Sequence, residues 1–196
     1  MQRRNYLVLV VAAVIALITL TLNPAAMAQN LSGAIFTTAM NSSFVNGNVY
    51  DSKEEVYLNG GPRPNAPCSA AGLPDGHYYF QVTDPSGSVL LSSDDIGLRQ
   101  VYIGGGVIVA VSGHATGFGK CKDTKLNNIT VQLFPFDPTT NPGGQYKVWM
   151  TRISDYDMTR TKGSFGFIPS KTKTDNFKVA PPVDGCPDQD PSCTPG

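Results

Sequence analysis

The chain has 196 residues, 41% of them hydrophobic and 15% charged, which is enough apolar material for one domain with its own core and unlike the composition of a disordered chain. Its 15 basic and 15 acidic residues balance, leaving no net positive field for nucleic acid or for an anionic membrane surface. Twenty glycines and 15 prolines exclude long helices as the main building element and make turns plentiful.

The N-terminus reads as a secretory signal, residues 1–28. Arg3 and Arg4 give a short positive start, residues 6–22 are uncharged and apolar, and Pro24 then breaks any helix. Ala26-Met27-Ala28 supplies the small-x-small pattern that a signal peptidase accepts, so Gln29 is the expected first residue of the mature chain. The alternative is an uncleaved anchor, for which 17 apolar residues are at the lower edge of a membrane span. No Cys follows the apolar run at the cleavage site, so a lipoprotein anchor is not indicated. Removing Arg3 and Arg4 leaves 13 basic against 15 acidic residues, a net charge of −2.

Residues 29–43 are small and polar and read as a flexible lead-in, followed by a β-rich domain over 44–179. Asn46-Gly47 suits a tight turn or bulge between short β-type runs. Residues 55–58 form a short strand ended by Asn59-Gly60-Gly61-Pro62, and residues 63–73 a loop, with three prolines between positions 62 and 67. The clearest element is HYYFQVT, residues 77–83, where Tyr78, Phe80 and Val82 alternate with His77, Tyr79 and Gln81 and make one face apolar. Asp84-Pro85-Ser86-Gly87 is a turn, and residues 89–91 are the expected partner strand of a hairpin.

Residues 99–103 are a further strand, and 107–111 an apolar run suited to burial on both faces. Residues 112–127 read as a loop and 129–134 as a strand. GQYKVWMT, residues 144–151, echoes GHYYFQVT, residues 76–83, with Gly, Tyr and Thr in register. The two copies are expected to mark equivalent strands of two sheets, or two strands entering a sandwich in the same way. Residues 152–161 read as a polar, outward-reaching loop; 163–168 and 175–179 are the last strands. Residues 180–196 read as an extended Pro/Asp-rich tail.

The four cysteines, Cys68, Cys121, Cys186 and Cys193, all lie in the exported part, where disulfides persist. Of the three possible pairings, Cys68–Cys121 with Cys186–Cys193 is favoured; free thiols are the alternative. The first bridge closes a long loop, worth about 4 kcal/mol.

Strands at this spacing without a helical period indicate an all-β fold, a β-sandwich of transthyretin-like or immunoglobulin-like form with about seven or more short strands. The run LPDGHYYFQVTDPSG, residues 73–87, resembles a motif of the Cna B-type and SdrD B-type modules of bacterial exported and surface proteins. Their strands open on Leu-Pro-x-Gly-x-Tyr and continue Val-Thr-Asp. Residues 144–151 echo it more weakly. VNGNVYDSKEEVYLNGGP and FIPSKTKTDNFKV are similar to segments of exported bacterial proteins, and the rest of the chain is similar only in being β-rich. The resemblance implies the prealbumin sandwich and a role as spacer, adhesin module or surface-assembly part. Some such modules carry a Lys–Asn isopeptide bond promoted by a buried carboxylate. Lys53, Glu54, Glu55 and Asn176 are the residues to consider for it, although Lys and Glu in a solvated turn is the better reading.

Catalytic chemistry finds little support. His77 falls on the polar face of a strand and His114 in a Gly-containing loop, neither in a nucleophile motif, so both read as surface histidines. Four cysteines and two distant histidines lack the close spacing of zinc sites. Asp184, Asp188 and Asp190 are weak calcium candidates without the spacing of an EF-hand loop. Tyr79 and Trp149 are candidate ligand-facing aromatics for a sugar-stacking platform. Sequons begin at Asn30, Asn41 and Asn128. The sequence therefore points to a non-enzymatic module without a cofactor, secreted or at the cell surface. Its expected partner is a protein or polysaccharide, it makes no nucleic-acid contact, and it meets the membrane only through an uncleaved signal segment. A carbohydrate-binding module is the alternative.

Overall fold

The computed structural model describes residues 31–47, 49–121 and 127–181. The signal segment with Ala26, Ala28 and Gln29, the tail residues Asp184, Asp188 and Asp190, and the Cys186–Cys193 pair lie outside the described residues. In chain order the strands are β1 (Ala34–Thr38), β2 (Tyr57–Gly61), β3 (Gly76–Thr83), β4 (Gln100–Gly104), β5 (Val107–Val111), β6 (Thr116–Phe118), β7 (Ile129–Gln132), β8 (Gln145–Arg152) and β9 (Thr172–Lys178). They form two antiparallel sheets, one ordered β1-β2-β7-β6 and the other β5-β4-β3-β8-β9. The fold is all-β and fits a β-sandwich.

The alternation in residues 77–83 sets the core as expected. Tyr78, Phe80 and Val82 of β3 are fully buried, and β8 aligns Val148 opposite Val82 and Met150 opposite Phe80. Inward side chains that face each other across an antiparallel pair are the unit of sheet stabilisation. The two similar octets are therefore antiparallel neighbours in one sheet, not counterparts in two. Leu58 of β2 and Val131 of β7 face them from the other sheet within the same core. At one side β1 touches β9, where Asp175 Oδ2 accepts from the Thr37 N–H at 2.8 Å.

Several expectations need correction. The lead-in contains β1: Ile35, Phe36, Thr37 and Thr38 are buried. Its two threonines look polar in sequence, but their hydroxyls bond to Asp175 and to the Phe44 carbonyl. The turn after β3 forms, with Gly87 N–H donating to the Asp84 carbonyl at 3.0 Å. Residues 89–91 return antiparallel beside the end of β3 as expected, with Leu91 N–H donating to the Val82 carbonyl at 3.0 Å and Leu90 bridging Thr83, but the pairing is too short to count as a strand, and β4 takes the first half of the same edge over Gly76–Tyr79.

β5 is the edge of its sheet, so only Val107 and Ile108 are buried and Ala110 is exposed. The loop over 112–127 carries β6. Residues 163–166 turn through successive positive φ values and form no strand. Gly166, at φ +90°, brings backbone so close to the Tyr156 ring that a Cβ would stand 2.3 Å from it; only glycine allows that approach.

Candidate functional site

A pocket of about 380 Å³ opens where the chain enters β1, lined by residues of three segments: Leu31, Ser32 and Gly33; Arg63, Ala66, Ala70 and Ala71; and Lys173 of β9. Its long wall follows from local sequence. Pro62, Pro64 and Pro67 lack the N–H that would extend the β2 ladder, so the chain leaves the sheet as a loop. Two turns shape that loop, closed by Ala66 N–H on the Arg63 carbonyl and by Ala70 N–H on the Pro67 carbonyl, each at 2.9 Å.

The Cys68–Cys121 disulfide is formed, with Cα atoms 5.6 Å apart, and ties this loop to the segment after β6. Lys120 Nζ donates to the Ala66 carbonyl at 3.4 Å. On the other side the Ser32 hydroxyl donates to the Gly72 carbonyl at 2.7 Å. Gly72 in turn packs on the backbone of Gly106, where a Cβ would meet the Gly106 carbonyl at 2.1 Å.

Arg63 and Lys173 are the only charged groups among the described lining residues, and neither has an ion-pair or hydrogen-bond partner among the described residues. Partial burial, and then the nearby Arg63 charge, lower the pKa of the Lys173 ammonium.

A second polar cluster lies between the sheets. His114 Nε2 is 3.0 Å from Asp94 Oδ2, and His114 Nδ1 donates to the Gln132 carbonyl at 2.8 Å. Arg99 Nε stands 3.3 Å from Asp94 Oδ1 as an ion pair without hydrogen-bond alignment. Burial lowers the Arg99 pKa, and the Asp94 charge opposes that shift. The His114 ring meets the Phe80 ring edge-on at 4.9 Å. Both ring nitrogens are engaged, so none is left to activate a nucleophile as a serine or cysteine hydrolase requires. His114 is thus a core residue, its side chain 1% exposed, and not the surface histidine its loop position implied.

The remaining candidates do not converge on one site. Trp149 is 6% exposed; its Nε1–H donates to Thr83 Oγ1 at 2.8 Å, and Gly87 covers its ring. Tyr79 meets Tyr156 edge-to-face at 5.1 Å. Residues 152–161, expected to reach outward, belong with 163–168 to a segment that folds back over this face of the sheet, where Gln81 Nε2 donates to the Ser164 carbonyl at 2.8 Å. The sugar platform is therefore covered. His77 is exposed, as expected, with Gln100 Nε2 3.0 Å from its Nδ1. Glu54 and Glu55 are exposed, and so is Asn176, so neither glutamate is the buried carboxylate an isopeptide bond needs. The Asn128 sequon is buried.

The chain matches no family model, no curated protein and no solved structure. Its resemblance to Cna B-type modules therefore rests on the motif over 73–87. Among the described residues no group of three or more His, Cys, Asp or Glu side chains could hold a metal ion, and no helix is long and apolar enough to cross a membrane.

Proposed function

We propose that the protein is an exported, non-enzymatic β-sandwich module with a structural or adhesive role at the cell surface or outside the cell, its partner a protein or polysaccharide. The observation that carries this reading is the Cys68–Cys121 bridge. Such crosslinks persist in oxidising compartments and are rare where thiols are kept reduced. The signal-like sequence over 1–28 and the β-sandwich agree with it. The burial of Trp149 gives the carbohydrate-binding alternative no support at that face.

The test uses cells that make the whole chain with a C-terminal epitope. Intact cells or their medium should carry the epitope, and attachment of the cells to a surface should change several-fold against cells lacking the gene. Epitope confined to the cell interior, with attachment unchanged, would overturn the proposal.

A further inference from the structure

The pocket beside β1 has a composition that points to a ligand. We infer that it binds a small carboxylate carried on a short apolar stem, with Arg63 and Lys173 as the anion-binding pair. The inference does not depend on where the protein acts.

Four observations support it. First, the fold brings Arg63, exposed in the loop after β2, and Lys173, half-buried on β9, to one cavity, and no Asp or Glu among the lining residues neutralises them. Two like charges drawn together without an acid repel, and a bound anion removes that cost. The lowered pKa of Lys173, caused by burial and by Arg63, agrees with this uncompensated field.

Second, the other walls are small and apolar: Leu31, Ala66, Ala70 and Ala71. At about 380 Å³ the cavity is at the small end of ligand pockets. It suits a branched aliphatic stem rather than a long chain.

Third, the donor set favours a carboxylate over a phosphate. A guanidinium fork matches a planar carboxylate with two parallel hydrogen bonds. Among the lining amides, those of Ala66 and Ala70 are already spent in their turns, so the choice of carboxylate rests on the guanidinium geometry. The Ser32 hydroxyl hydrogen is likewise committed to the Gly72 carbonyl.

Fourth, the wall is held in place before any ligand arrives. The disulfide anchors the loop at Cys68, and Lys120 holds the Ala66 carbonyl. Little ordering entropy remains to oppose binding.

The test is an amide-resolved NMR titration of the oxidised protein. The probes are N-acetyl-alanine with its neutral amide, isobutyrate with isobutyramide, and inorganic phosphate. Saturable shifts at Gly33, Ala66, Ala70 and Ala71 are expected with a carboxylate and not with its amide. A response to N-acetyl-alanine alone would identify a peptide terminus as the source, and a response to isobutyrate alone a free acid; both support the site. Arg63→Gln and Lys173→Met should each weaken carboxylate binding about tenfold while leaving the rest of the spectrum in place. Neutral amides binding as well as the acids, phosphate binding more tightly than either acid, or no saturable shift with any probe would overturn the inference. The comparison of acid with amide needs only the unmodified protein, so it holds even if a variant misfolds.

Discussion

His114 Nε2 and Asp94 Oδ2 stand 3.0 Å apart, their side chains 1% and 10% exposed, and join the loop after β5 to the segment that leads into β4. With Arg99 on the opposite carboxylate oxygen, one aspartate serves two buried cationic or cation-capable groups. The Gln132 carbonyl on His114 Nδ1 extends the connection to β7 in the other sheet.

Removing the shared partner leaves the Arg99 guanidinium buried and uncompensated. Asp94→Ala should therefore destabilise the fold by about 3–5 kcal/mol, the usual cost of breaking a buried pair. His114→Ala should cost less, because Arg99 keeps its carboxylate. Urea unfolding monitored by circular dichroism measures both, and an Asp94→Ala loss under about 1 kcal/mol would show that water already solvates the cluster.

Asp175 gives a pH dependence of defined sign. Burial pushes its carboxyl above the ordinary value of 3.8, and hydrogen bonds from Thr37 only partly oppose this. The folded state thus holds this proton more tightly than the unfolded state. The contribution of Asp175 to stability is fully present below pH 3.8 and is lost as pH rises through the raised folded value. Asp175→Asn, whose amide oxygen can still accept from the Thr37 N–H, should flatten this part of the curve and hold or raise Tm at neutral pH. Thermal melts of both proteins across the acidic range provide the comparison; a Tm that falls at neutral pH would mean the ionised carboxylate is favourable where it sits.

The disulfide closes a loop between positions 53 apart, so its removal should cost about 4 kcal/mol. The double variant Cys68→Ser/Cys121→Ser should unfold at lower denaturant with little change in the far-ultraviolet spectrum of its folded form. An unchanged midpoint would mean that the loop is already held by its other contacts.

The chain has one tryptophan, which makes the covered face of the β3–β8 sheet directly observable. Trp149 fluorescence should be blue-shifted, resist quenching by acrylamide and stay unchanged on adding oligosaccharides. Strong quenching would mean that the segment over 153–168 leaves the sheet.

Legibility from sequence followed the range of each interaction. β3 and β8 were readable because alternation is local: Tyr78, Phe80 and Val82 announce a face within five positions. Their pairing as neighbours was not, since register between two strands depends on the turn and edges between them. β1 carries no clear signal, because Thr37 and Thr38 look solvated until Asp175, far along the chain, is brought against Thr37 and the Phe44 carbonyl against Thr38. Cys68 and Cys121 were recognisable by chemistry alone. Arg63 with Lys173, and Asp94 with His114, carry no periodic or motif signal. Their partners are set by how loops cross the ends of the sandwich, and His114 in its Gly-containing loop looked exposed for the same reason.

The most direct test of the central claim, that this is an exported and oxidised module, is the mass spectrum of the protein recovered from producing cells by fraction, with free thiols alkylated beforehand. Chains beginning at Gln29 are expected outside the cytoplasm, with Cys68 and Cys121 unalkylated. Chains beginning at Met1 in the cytoplasm, with both cysteines alkylated, would contradict it.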